Sequence, residues 1–278
     1  MCFIYLFSPP FSVPIHNVPL LSSNKTFTQF VNEFRIVHAT KLLAKNGFDL
    51  VLVARDLPRL NQFAKQLKLD YQIKVELIKA DLTKPAQLSK VEKRLKNKAK
   101  PITVLINNAG FGTNKAFTMS TLEVEQQLLD VLVRTPMRLM HVALPLMKQR
   151  NKGVVINVSS VASFIAGGTY SAAKSYLTVL TESLHTELAG TNVKISALCP
   201  GFTRTEFHQR GRISMQGLPN FMWLASDTLV AKAWRDALKG EAISIPGWQY
   251  KLLVFVIQRL PRSIVRKVGM SVRRKQRK

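Results

Sequence analysis

Val154-Val155-Ile156-Asn157-Val158-Ser159-Ser160, with Tyr170-Ser171-Ala172-Ala173-Lys174 a short step downstream, decides how the rest of the chain is read. The first stretch is a β-branched run ending in two serines, which reads as a buried strand and its turn. The second opens a helical pattern over 170–190. There Ala173, Leu177, Leu180, Leu184 and Leu188 fall on one stripe, as in a helix packed against a sheet. The alternation continues in both directions, with strand-like runs at 50–54, 75–79, 102–107, 193–198 and 243–245 and helical patterns at 57–69, 85–98, 122–149 and 226–239. Val- and Ile-rich runs separated by helices imply a parallel sheet covered on both faces. The expected fold class is α/β, in a single domain.

In such a fold ligands bind at the carboxyl ends of the strands. Several polar groups fall there: Asp81-Leu82, Asn107-Asn108-Ala109-Gly110, Ser159-Ser160 and Pro200-Gly201. Each alone is ordinary turn chemistry; their order, each at a strand end, is not. Tyr170 and Lys174 stand one helical turn apart and share a face. That spacing is common on helix surfaces by chance, but a phenol beside an ammonium can also serve as an acid–base device, because the positive charge favours the phenolate.

Together these motifs, with Cys199-Pro200-Gly201 followed by Thr203, resemble a classical short-chain dehydrogenase/reductase from about residue 39 to about residue 250. The resemblance implies a doubly wound parallel sheet, Rossmann-like, in three α/β/α layers, and an oxidoreductase that moves a hydride between NADP(H) and the carbonyl/alcohol pair of a small-molecule substrate. It implies Tyr170 as general acid/base, Lys174 as the group that lowers its pKa and bonds the nicotinamide ribose, and Ser160, rather than Ser159, as the donor to the carbonyl oxygen. It assigns Asp81 and Leu82 to the adenine, Asn108, Ala109 and Gly110 to its ribose side, and Pro200, Gly201 and Thr203 to the nicotinamide end. Arg55, directly after a strand run, suits the 2′-phosphate of NADP rather than the 2′-hydroxyl of NAD, although Asp56 follows it. By analogy a homodimer or homotetramer is expected.

The chain departs from that family in three places. No glycine precedes Gly47, so the turn that lets a pyrophosphate approach the backbone is missing, and 32–40 reads Asn-Glu-Phe-Arg-Ile-Val-His-Ala-Thr. Residues 26–46 can still form a helix, but the central first strand would have to come from 3–7 or 18–21, or that slot stays poorly filled. The abrupt onset of the family pattern fits either true divergence or an altered or misassigned N-terminus. Relatives carry an Asn where Leu132 stands, and leucine is expected neither to support the local backbone distortion nor to hold a proton-relaying water. The segment between Ser160 and Tyr170, with Ala166-Gly167-Gly168-Thr169, is short; a ~1 Å misplacement there costs ~100-fold in rate.

The chain carries 41 Lys+Arg against 16 Asp+Glu, a formal +25. Ten basic residues and no acid lie in 251–278; the remaining 31 Lys+Arg and 16 Asp+Glu still leave +15. Such charge draws anionic partners, but no nucleic-acid fold signature accompanies it. Cys2 and Cys199 form no CxxC or Cys/His cluster, so neither a metal site nor a disulfide framework is expected. The apolar, proline-broken stretch 1–21 lacks a basic n-region and is neither a good signal peptide nor a span. The expected setting is cytoplasmic. Three segments follow: an atypical 1–38, a reductase domain 39–250 and a basic tail 251–278. Residues 204–245, with Phe207, His208, Met215, Phe221, Met222 and Trp223, suit an apolar substrate cover or, equally, a helical hairpin on the core. The tail joins the apolar run 252–257 to a basic amphipathic pattern. It is expected to dock on the domain as a helix, or to lie peripherally on an anionic membrane surface.

Overall fold

The computed structural model describes residues 2–6, 34–113, 115–203 and 219–276; for 2–6, 34–36 and 272–276 the description is of the backbone path. In chain order the strands are β1 (Cys2–Leu6), β2 (Leu50–Ala54), β3 (Val75–Lys79), β4 (Val104–Asn107), β5 (Gly153–Val158), β6 (Val193–Leu198) and β7 (Ile243–Ser244). The helices are α1 (Phe34–Lys45), α2 (Leu57–Tyr71), α3 (Pro85–Leu95), α4 (Leu122–Leu129), α5 (Thr135–Gln149), α6 (Thr169–Glu187), α7 (Ser226–Lys239), α8 (Trp248–Ile257) and α9 (Arg262–Gln276). The helix expected over 26–46 is described from Phe34 onward; 18–21 and 26–33 lie outside the described residues.

Among the described residues the strands form one sheet in the order β3-β2-β1-β4-β5-β6-β7, doubly wound as expected. Side chains alternate between its two faces with the period of a strand. Val51 and Val53 of β2 enter one core with α3, α5 and α6, while Leu50, Leu52 and Ala54 enter the other with α1, α2 and α7. The stripe on α6 lies as its spacing requires, with Ala173, Leu177 and Leu188 buried and Leu180 and Leu184 packed against the same core.

The parallel expectation has one exception. β1 occupies the central slot, but it pairs antiparallel with both β2 and β4; β2–β3 and the β4-to-β7 pairs are parallel. Cys2 stands opposite Ala54, and Leu6 opposite Leu50 and Val104. β1 therefore ends at the amino edge of its neighbours, whereas α1 starts at their carboxyl edge. A tight turn from β1 into α1 at that edge is ruled out by strand polarity, not only by the missing glycines. The slot is filled because any apolar strand of five residues can supply the ladder's backbone groups in either direction.

A second expectation is corrected at Leu132. Residues Asp130–Arg134 form a π-helical turn between α4 and α5, with Leu132 buried within it. The local distortion thus forms without an asparagine side chain. It is held from outside: Arg134 Nη2 donates to the Thr83 carbonyl oxygen at 3.1 Å and Thr135 Oγ1 to that of Leu82 at 3.2 Å, while Arg134 pairs with Asp130 at 3.0 Å.

Candidate active site

The carboxyl edge of the sheet collects the polar strand ends. β4 ends in Asn107, and the buried Asn108 and Ala109 follow. Asn107 Nδ2 donates to Asn157 Oδ1 across the β4–β5 pair at 2.7 Å, and Asn157 Nδ2 donates to Thr181 Oγ1 on α6 at 2.8 Å. This buried ladder ties α6 to the strands: Asn107 Nδ2 and both polar atoms of Asn157 are paired, while Asn107 Oδ1 is buried without a partner among the described residues. Sequence reasoning passed over it; the one available signal was an Asn at the same register in two otherwise apolar runs.

At the end of β5 the two serines diverge. Ser159 is buried, its hydroxyl donating to the Lys174 carbonyl oxygen at 2.9 Å and sharing a hydrogen bond with Thr178 Oγ1 at 2.7 Å. Ser160 caps the single 3-10 turn Val161–Phe164, its Oγ accepting from the Ala162 N–H at 3.1 Å. The β5 and β6 ends are laced together by Ser159 N–H to Leu198 O at 2.7 Å and Val161 N–H to Pro200 O at 3.1 Å.

α6 opens at Thr169, so Tyr170 and Lys174 lie on its first turns. Lys174 is buried; its Nζ donates to the Val158 carbonyl oxygen at 2.6 Å and stands 5.8 Å from the centroid of the Tyr170 ring. Gly110 is beside it, since a Cβ there would sit 3.8 Å from Nζ and 3.0 Å from Leu132 Cδ2. The Val158 carbonyl, invisible to motif reading, is thus what holds the ammonium in the site.

Farther along the edge, Arg55 Nη1 lies 4.0 Å from Asp81 Oδ2, with Arg55 largely exposed. A pair that long and that wet binds its partner weakly, so the guanidinium remains available to an anion. Asp56 is committed elsewhere: its carboxylate caps α2, accepting from Arg59 N–H at 3.2 Å. Asp81 accepts from the backbone and hydroxyl of Thr83 at 3.0 and 2.8 Å. Partial burial alone would raise its pKa, but these bonds and the charges of Arg55 and Lys84 outweigh it and hold the carboxyl below its usual range. Leu82 is buried next to it.

After β6, Cys199 is buried, which pushes its thiol pKa up. Thr203 is buried, its hydroxyl on the Gly201 carbonyl oxygen at 3.2 Å, and it bridges to Leu224. Gly201 lies against the ring of the fully buried Tyr250, where a Cβ would come within 2.0 Å of Cζ. Tyr250 donates to the Met222 carbonyl oxygen at 2.6 Å and accepts from Phe202 N–H at 2.9 Å. Burial raises its pKa to about 12. Phe202, Trp223 and Tyr250 form one aromatic group beside the strand ends. Phe207, His208 and Met215 lie outside the described residues, and Phe221 is exposed. An apolar cavity of about 30 Å³ opens between α1, α7 and the sheet, lined by Ala39, Leu42, Ile106, Asn108, Leu198 and Trp234, away from Tyr170. Among the described residues no cluster of His, Cys, Asp and Glu could hold a metal ion.

The site divides unevenly against a dinucleotide. One end offers Arg55 and the ordered Asp81 carboxylate, and the other offers Lys174, Tyr170 and the close backbone of Gly110. Both ends fit. The middle does not: no glycine turn joins β1 to α1, and β1 runs the wrong way to make one.

The family model for short chain dehydrogenases matches residues 37–215, and the chain belongs to that family of NAD(P)-dependent oxidoreductases. It is 30% identical over 213 residues to the ketoacyl reductase HetN of Nostoc sp., covering 75% of this chain and 73% of that protein. It is 31% identical over 163 residues to an NADP-dependent 3-hydroxy acid dehydrogenase of Schizosaccharomyces pombe, covering 59% of this chain and 62% of that one. Among solved structures, a short-chain dehydrogenase from Sphingobium yanoikuyae in complex with NADPH superposes with a TM-score of 0.73 at 31% identity, over 82% of this chain and 90% of that one.

Proposed function

We propose that the protein is an NADP(H)-linked carbonyl reductase or alcohol dehydrogenase of moderately apolar small molecules, with Tyr170, Lys174 and Ser160 as its catalytic residues. The observation that carries this reading is Lys174 Nζ, buried, anchored on the Val158 carbonyl and facing the Tyr170 ring. A bound nicotinamide supplies the hydride in reduction and takes it up in oxidation. Tyr170 gives its phenolic proton to the substrate oxygen as negative charge develops there, or removes it in the reverse direction; the nearby ammonium stabilises the phenolate left behind. Ser160 Oγ already accepts from Ala162 N–H, which leaves its own proton to donate to that oxygen. Arg55, Asp81 and Leu82 would hold the adenosine end, with Asn108, Ala109 and Gly110 on the ribose side. Pro200, Gly201 and Thr203, with Tyr170 and Lys174, would hold the nicotinamide end. Arg55 favours NADP, as do the NADPH-bound Sphingobium protein and the NADP-dependent yeast relative.

The same proposal keeps the three segments 1–38, 39–250 and 251–278, a homodimer or homotetramer, and a cytoplasmic or membrane-peripheral setting, the basic tail meeting an anionic membrane surface. Exposed Leu122, Leu129, Met137, Tyr176 and Val179 on α4 to α6 suit subunit pairing. A second reading, a reductase-like protein without turnover that serves as a scaffold or on a lipid surface, is favoured by the antiparallel β1. Titration with NADPH, followed by nicotinamide fluorescence, separates the two. Saturable binding that Lys174→Ala abolishes supports the enzyme, and no binding at millimolar NADPH overturns it.

A further inference from the structure

α8 is apolar on two opposite faces. Tyr250, Val254 and Ile257 point inward and are buried, while Trp248, Leu252 and Phe255 form an outer stripe at 72, 55 and 52% exposure. A helix that only covered a core would carry polar residues there. The exposed Phe221 lies at one end of the stripe, its carbonyl oxygen accepting from Gln249 Nε2 at 2.9 Å. Cations rim it. Lys251 is exposed on α8, and the Arg259 guanidinium stacks on the Phe255 ring at 3.4 Å. α9 then adds Arg262, Arg266 and Lys267, all exposed, and 251–278 holds ten basic residues and no acid.

α8 and α9 also grip the segment between Ser160 and Tyr170. α8 packs against the 3-10 turn that Ser160 caps. α9 lays the buried Gly269 on Ala166, so closely that a Cβ would meet the Ala166 carbonyl oxygen at 2.4 Å. The inner faces of α8 and α9 therefore pack on the stretch that joins the proposed catalytic residues, and the apolar stripe lies one helix's thickness farther out.

We propose that α8 and α9 dock in the plane of an anionic lipid surface, sinking Trp248, Leu252 and Phe255 into it, and so hold the Ser160–Tyr170 segment, which their inner faces grip, within a helix's thickness of carbonyl or alcohol substrates dissolved in the bilayer. The docking stands on these two helices alone; the substrate class rests on the catalytic reading above. An apolar stripe bearing aromatic residues and rimmed by cations is what an interfacial helix needs. The charge argues against a second copy of the chain, since two such faces would set the five exposed cations Lys251, Arg259, Arg262, Arg266 and Lys267 against another five. It also argues against nucleic acid, whose phosphates leave an apolar stripe uncovered. Among the described residues no helix is long and apolar enough to cross a membrane, so the contact is peripheral.

The test is flotation of the full chain with vesicles of phosphatidylcholine, with and without anionic phosphatidylserine, at low and high salt. Wild type is expected to float with the anionic vesicles. The double variant Leu252→Glu/Phe255→Glu, both at exposed positions, should lose ~tenfold or more in partitioning while melting at the wild-type temperature. Hydrogen exchange in 165–169 should slow when anionic vesicles are added, in wild type only. Equal flotation with purely neutral vesicles, or unchanged partitioning of the double variant, overturns the proposal. So does a stable dimer that the double variant breaks, or retention of an RNA homopolymer in place of vesicles. None of these readouts uses NADPH or turnover: vesicle binding without activity would sink the catalytic reading and leave the docking intact.

Discussion

Gly201→Ala tests the packing of the β6 end against the Tyr250 ring. A Cβ at 201 would stand 2.0 Å from Tyr250 Cζ and 2.2 Å from both ε carbons, where ordinary contact begins at 3.4 Å. The ring has to retreat by roughly 1.4 Å, and its hydroxyl is tied at 2.6 Å to the Met222 carbonyl oxygen and at 2.9 Å to Phe202 N–H. A shift of that size breaks both bonds, at about 1 kcal/mol each. Overpacking a full core adds about 1–3 kcal/mol. The total, about 3–5 kcal/mol, lowers the melting temperature by roughly 10 °C in a chain of this size. Thermal unfolding followed by circular dichroism reads it, and Tyr250→Leu provides the partner for a double-mutant cycle. With the ring removed, Gly201→Ala should cost less than about 1 kcal/mol. Melting of Gly201→Ala within ~2 °C of wild type, or an equal cost in the Tyr250→Leu background, would refute this contact.

Three further outcomes are expected. Tyr250 has a folded-state pKa of about 12 against an ordinary 10; its contribution is complete below pH 10 and is lost as pH rises through 12, where the unfolded phenol ionises and the folded one resists. Urea unfolding should show a fall of about 2–3 kcal/mol across that window that is absent in Tyr250→Phe. Asn157→Ala strips Asn107 Nδ2 of its acceptor and Thr181 Oγ1 of a donor inside the core; urea midpoints should report a loss of about 2–4 kcal/mol. Arg55→Ala should weaken NADPH binding ~10–100-fold, since charge-assisted bonds to a phosphate are among the stronger ones. It should leave NADH unchanged, and equal effects on the two cofactors in a fluorescence titration would contradict the assignment of Arg55 to the 2′-phosphate.

Local chemistry made much of the molecule readable in advance. Strand period and helix stripe are properties of neighbouring residues, so β2, β3, β6 and the inward face of α6 lie where their spacing puts them. The pairing of Tyr170 with Lys174 follows from one helical turn, and the site's position at the carboxyl edge follows from the winding of the sheet. What stayed hidden depends on groups distant in sequence. The Val158 carbonyl that anchors Lys174, the Asn107–Asn157–Thr181 ladder and the Tyr250 ring against Gly201 each join segments that no local pattern relates. The π turn at Leu132 belongs with these: Arg134 and Thr135 tie it to the Thr83 and Leu82 carbonyls, and the Asp130–Arg134 pair closes it, with no part for the side chain at its centre. Neighbouring residues alone set the alternation of strands and helices, a tyrosine one helical turn before a lysine, and a chain with no glycine ahead of Gly47. The backward entry of β1 into the central slot came from the assembled chain. A strand's hydrogen-bonding groups serve either direction equally, so its polarity is chosen by where the chain must go next and not by its own residues.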